Sequence, residues 1–165
     1  VVAKAPPKER VMTLAAMNSK FAIPPGAANH QVDSEFTLRS EARLIGLMPH
    51  MHLRGKDFEY RAVYPTGEKE TLLRVPKYDF NWQLWYYLAE PKQMPKGTRL
   101  ECTAHFDNSA NNPANPDPAK EVKWGDQSWE EMMIGWFDVA FDRTMDPAKL
   151  FREEKPKPAS TSGGE

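Results

Sequence analysis

Phe58-Glu59-Tyr60-Arg61-Ala62-Val63-Tyr64-Pro65-Thr66-Gly67 decides the fold class. Phe58, Tyr60, Ala62 and Tyr64 alternate with polar or smaller residues, the two-residue period of a strand with one buried face. Pro65-Thr66-Gly67 is a turn, and Glu70 to Val75 follows as a second strand, so the stretch predicts a β-hairpin. The same period extends outward. Gln31 to Arg39 alternates around Val32, Phe36 and Leu38, Ala42 to His52 is a longer apolar run, and Thr98 to Phe106 and Met132 to Phe141 are further strands. Phe80 to Leu88 is a strand rich in aromatics, and most of its Trp82, Trp85, Tyr86 and Tyr87 is expected in the core. Asp107 to Lys120 is a loop, because its asparagines and prolines cannot sustain a ladder.

Seven or eight short strands with frequent turns predict an all-β chain, an antiparallel jelly roll or β-sandwich. Two flanks depart from this pattern. Val11, Leu14, Ala15 and Met17 have roughly helical spacing behind Pro6-Pro7, so a short N-terminal helical segment is expected. Glu153 to Glu165, with Lys-Pro-Lys-Pro and Ser-Thr-Ser-Gly-Gly, reads as a linker or disordered tail. The expected organisation is an N-terminal extension over 1–30, one jelly-roll domain over 31–150 and a tail over 151–165. The start at Val1 without a signal peptide suggests a domain cut from a longer protein.

Composition excludes several function classes. Among 165 residues, 22 Lys+Arg balance 23 Asp+Glu, for a net charge of −1. Such balance argues against a nucleic-acid surface, which requires a basic excess. No apolar run approaches the roughly 18 residues of a membrane span. Cys102 is the only cysteine, so an internal disulfide is impossible. Fifteen prolines, roughly twice average usage, disfavour a helical bundle.

The chain has four histidines, His30, His50, His52 and His105, and two of them form the sharpest motif, Met48-Pro49-His50-Met51-His52. On a strand, residues two apart point to one face, so both imidazoles can reach one metal ion, copper or zinc. Two third ligands are available. His105 would complete a three-imidazole site of zinc-enzyme style, whereas a thioether from Met132 or Met133 would favour Cu(I). Spacing does not choose between them. His105 is otherwise expected to hydrogen-bond Asp107 or the asparagine-rich loop, and His30 to lie on the surface. The oxygen-rich loop after Asp107 could hold calcium but lacks EF-hand spacing. Trp124-Gly125-Asp126-Gln127 is expected to be a turn whose Trp packs on a sheet edge.

His50-Met51-His52-Leu53-Arg54-Gly55-Lys56, a later strand with Cys102, and Glu130-Glu131-Met132 together resemble the copper type II, ascorbate-dependent monooxygenases, the family of peptidylglycine α-hydroxylating monooxygenase and dopamine β-monooxygenase. The likeness runs in order from His50 to Trp136 and is to the C-terminal of that family's two jelly-roll domains. The resemblance implies one copper held by His50, His52 and Met132, O₂ activation, and hydroxylation of a substrate C–H bond. It also implies electrons from ascorbate or another donor through a second, three-histidine copper domain, and an extracytoplasmic setting.

Departures from the family pattern are informative. Met48, Ile134 and Trp136 stand where peptide-amidating members carry arginine, asparagine and tyrosine that bind a substrate carboxylate. Met133 replaces a cysteine that bridges to the equivalent of Cys102, so Cys102 is expected as a small buried hydrophobe. Outside the resemblance, the same fold can serve as a non-catalytic binding module, with a structural metal or a glycan on the aromatic strand.

Overall fold

The computed structural model describes residues 4–152. It contains ten strands: β1 (Glu9–Met17), β2 (Ala22–Ile23), β3 (His30–Thr37), β4 (Ala42–His50), β5 (Gly55–Val63), β6 (Lys69–Val75), β7 (Tyr86–Met94), β8 (Arg99–Phe106), β9 (Val122–Lys123) and β10 (Ile134–Asp142). Eight of them form two four-stranded antiparallel sheets, ordered β1-β10-β4-β7 and β3-β8-β5-β6, and β2 pairs with β9. Apart from the β5–β6 hairpin, successive long strands change sheet, which is the strand order of a jelly roll. No helix among the described residues is long and apolar enough to cross a membrane.

Alternation builds the core. In β8, Leu100, Cys102, Ala104 and Phe106 are buried while Arg99, Glu101, Thr103 and His105 face outward. In β5, Phe58, Tyr60 and Ala62 are buried as their spacing predicts, and Gly67, at φ +87°, makes the turn into β6. From the opposing sheet, Leu14, Leu44, Leu47, Phe137 and Val139 complete the interior. Phe36 meets Phe137 edge-on across the sandwich, with ring centroids 5.3 Å apart. The sheets approach closely at Gly135, where a Cβ would lie 2.5 Å from Cys102 Sγ and 2.9 Å from Tyr60 Cε1. Cys102 is buried and unbridged, as expected of a small core residue.

The expected N-terminal helix is a strand. All nine residues of β1 pair with β10, and the inward positions are Met12, Leu14 and Ala16 rather than the helical set containing Val11 and Ala15. Nine residues of ladder outweigh a weak local periodicity. The segment expected as an extension thus supplies an edge of the first sheet. The aromatic strand also differs: β7 begins only at Tyr86, and residues 76–85 run as an irregular segment along the sandwich end. Trp82 and Tyr87 are each 65% exposed and Trp85 stacks on Tyr87, so this group is not core. Residues 153–165, expected as the tail, lie outside the described residues.

Gly135→Ala is expected to lower stability by about 1–3 kcal/mol through overpacking between the sheets. Adding Cys102→Ala should recover part of that loss. Urea denaturation of the two single variants and the double variant checks both points.

Candidate metal centre

β4 ends at His50, and the chain turns through Met51-His52 into the start of β5. Tyr78 fixes this turn: its hydroxyl donates to Met51 O at 2.7 Å and accepts from Met51 N at 3.0 Å. One side chain therefore satisfies both polar groups of the residue between the histidines. Gly55 makes room for it, because a Cβ there would lie 2.7 Å from the Tyr78 ring and 2.8 Å from Met51 Cβ. The second anchor is Glu131. Its carboxylate accepts from His52 N at 2.8 Å and Arg54 N at 2.6 Å, in a position with no solvent exposure. Burial raises its pKa to about 7, against the opposing pull of these backbone N–H bonds.

The two imidazoles meet edge to face, with ring centroids 5.2 Å apart. His50 Nδ1 lies 2.6 Å from Gln83 Oε1. Gln83 Nε2 donates to Phe80 O at 2.9 Å, which orients the amide so that its oxygen faces the ring. His50 therefore donates from Nδ1 and keeps the Nε2 lone pair. Burial lowers its pKa, opposed by the Gln83 bond, which favours the neutral ligand form. His52 Nδ1 lies 3.2 Å from Glu130 O, the same arrangement with a backbone acceptor. In both rings Nδ1 is engaged and Nε2 is left for a ligand.

Met132 precedes β10. Ile134 pairs with His50 and Trp136 with Met48, and Met132 has the same strand parity as Ile134 and Trp136. Met133, of the opposite parity, is fully buried, whereas Met132 is partly exposed. Trp136 pairs with Met48 on the same outer face. His105 is elsewhere. It projects from the outer face of β8, with Nδ1 2.6 Å from Asp57 Oδ1 rather than bonded to Asp107. Among the described residues no three His, Cys, Asp or Glu side chains converge on one centre, so the set His50, His52 and His105 is not formed. His30 opens β3, half-exposed.

The asparagine-rich loop braces neighbouring segments through its side-chain amides. Asn108 is fully buried: it donates to Pro24 O and Lys120 O and accepts from Arg54 Nε and Asn115 Nδ2. Trp124 forms a parallel bridge with Glu131, tying the turn at 124–127 to the anchor. Tyr78, Gln83 and the depth of Glu131 were not legible beforehand. A polar residue amid aromatics, or an acid beside a candidate ligand, was the available signal.

No family model matches the chain, and no curated protein matches it. Among solved structures it is similar to a chain in the structure of the infectious bursal disease virus Gx strain, with 12% identity and a TM-score of 0.36. The alignment covers 92% of this chain and 38% of the viral one, so this chain spans well under half the length of that protein.

Tyr78→Phe is expected to cost about 1–3 kcal/mol, because it strands the buried N–H and C=O of Met51. Glu131→Gln should cost a similar amount, since an amide has only one oxygen for two N–H donors. Thermal melts of both variants check this.

Proposed function

We propose that this chain is the catalytic-copper domain of a copper type II monooxygenase, with His50, His52 and Met132 as the ligands. The observation that carries the reading is the pair of adjacent imidazoles, each with Nδ1 engaged and Nε2 available. The donor set suits the ion: two imidazoles and one thioether favour Cu(I) and leave a position open to O₂. When bound, copper supplies the redox chemistry by which O₂ hydroxylates a substrate C–H bond, with electrons from ascorbate or another donor through a second copper domain.

The protein's own residues prepare the site. Gln83 and the Glu130 carbonyl orient the rings, while Tyr78 and Glu131 hold the backbone between them. Met48 and Trp136 are cross-strand neighbours, and Ile134 pairs with His50, so an apolar surface borders the site where a carboxylate anchor would otherwise stand. That surface favours a substrate without a carboxylate at this end. An extracytoplasmic setting belongs to the same reading.

A second reading, a glycan-binding module without catalysis, is favoured by one observation. Trp82 and Tyr87 are exposed, and Trp85 stacks on Tyr87 with centroids 6.2 Å apart.

X-ray absorption of the chain loaded with Cu(I) discriminates. One copper per chain is expected, with a sulfur scatterer that is lost in Met132→Leu and unchanged in His105→Ala. A sulfur signal that survives Met132→Leu, or no stoichiometric copper, overturns the ligand assignment. Glycan binding to the metal-free chain, abolished by Trp82→Ala, would support the second reading.

A further inference from the structure

A cavity of about 660 Å³ lies beyond the 124–131 turn, with Arg54 in its wall and Trp129 at its rim. Arg54 is only 1% exposed. Its guanidinium donates through Nε to Asn108 Oδ1 at 2.8 Å and through Nη1 to Trp129 O at 2.9 Å, both neutral acceptors. Among the described residues no carboxylate lies within ion-pairing distance of it. A guanidinium is charged at all ordinary pH and has five donors, and its burial is offset only by the longer-range pull of Glu131 and Asp117, with no carboxylate in direct contact.

The acids lining the cavity have other partners. Asp117 faces Lys120 at 3.6 Å and accepts from Ala119 N, and Glu121 pairs with Lys123 at 2.9 Å. Glu130 packs its carboxylate over Gly125 and accepts from Gln127 N at 3.0 Å. Glu131 is bound to the backbone N–H groups of His52 and Arg54 and acts on the guanidinium only at longer range. The side chains of Lys120 and Lys123 are largely exposed and balance the charges of Asp117 and Glu121 at the mouth. Trp129, 60% exposed although its carbonyl is held by Arg54, presents an indole face with no role in the core.

We propose that this cavity binds a small organic oxyanion, a carboxylate or phosphate monoester on a planar body, with the charged group on Arg54 and the body against Trp129. The anion supplies the direct charged contact that Glu131 and Asp117, acting on Arg54 at longer range, do not. A bidentate oxyanion matches the guanidinium fork, and the volume is that of a small-molecule site. The site is separate from the histidines' free Nε2 atoms and does not depend on a metal there.

The test uses the full chain with a chelator present, so that no metal at the histidines takes up the anion. Benzoate, phenyl phosphate and neutral benzamide are titrated while NMR follows the Trp129 indole N–H and the Asn108 side-chain amide. At least one oxyanion is expected to shift both signals saturably, with benzamide at least tenfold weaker. Which oxyanion binds tighter identifies the headgroup. Trp129→Ala, a surface change, should weaken binding at least fivefold, and Arg54→Met should abolish it. The comparison of charged and neutral ligands in the unaltered chain stands even where Arg54→Met does not fold. Equal binding of benzamide, or no saturable shift with either oxyanion, overturns the proposal and leaves Arg54 as a brace between loops.

Discussion

A single buried carboxylate organises the functional end of this sandwich. Glu131 sits one residue before Met132 and binds the backbone of His52 and Arg54, so it ties the approach to β10 to the turn between β4 and β5. Two charge-assisted hydrogen bonds inside the protein outweigh much of the cost of burying the acid, although its raised pKa shows that compensation is incomplete. Without that tie, the histidine turn and the methionine would belong to separate loops. With it, the residue before Met132 is hydrogen-bonded to the backbone of the histidine turn.

The jelly-roll order makes such a tie possible. β10 lies between β1 and β4, so the end of β4 and the start of β10 emerge side by side although more than eighty residues separate them in the chain. Missing side chains at Gly55 and Gly135 are equally necessary. The first admits Tyr78 against Met51, and the second lets the sheets close on Cys102 and Tyr60. Tyr60 then crosses the interior to donate to Trp136 O at 3.1 Å, linking the second sheet to the strand beneath the site. The two outer faces differ in character. The β3-β8-β5-β6 face carries ion pairs such as Arg61–Glu101, Arg99–Glu35 and Arg74–Glu59. Beside His50, the other face carries the partly exposed Met48 and Trp136 and the buried Ile134.

Much of this was legible in the sequence where a residue's role follows from local spacing. Alternation in β3 and β5, the apolar run of β4 and the turn before β6 placed these strands within a few residues, as did the reading of Thr98 to Phe106 for β8. The His50-x-His52 pair was equally plain, since a two-residue period puts both rings on one side. Local spacing failed where tertiary contacts decide. Val11, Leu14, Ala15 and Met17 fit a helical stripe only until the β10 ladder is available. Trp82 has core composition but lies on an irregular segment, and Tyr87, on the edge strand β7, points away from the core with 65% of its surface exposed. Nothing in the sequence sets His105 against Asp57, or Gln83 against His50, because those contacts join strands and loops at separations of 33 to 48 residues.

The central claim is that Glu131 and Tyr78 hold His50, His52 and Met132 as one preformed copper site. Anomalous diffraction at the copper edge, from crystals of the chain grown with copper, tests it most directly. One strong peak is expected within bonding distance of His50 Nε2, His52 Nε2 and the Met132 sulfur, with the Glu131 and Tyr78 hydrogen bonds intact. A peak at His105 and Asp57 instead, or a peak at the histidines with Met132 turned away, would contradict the account.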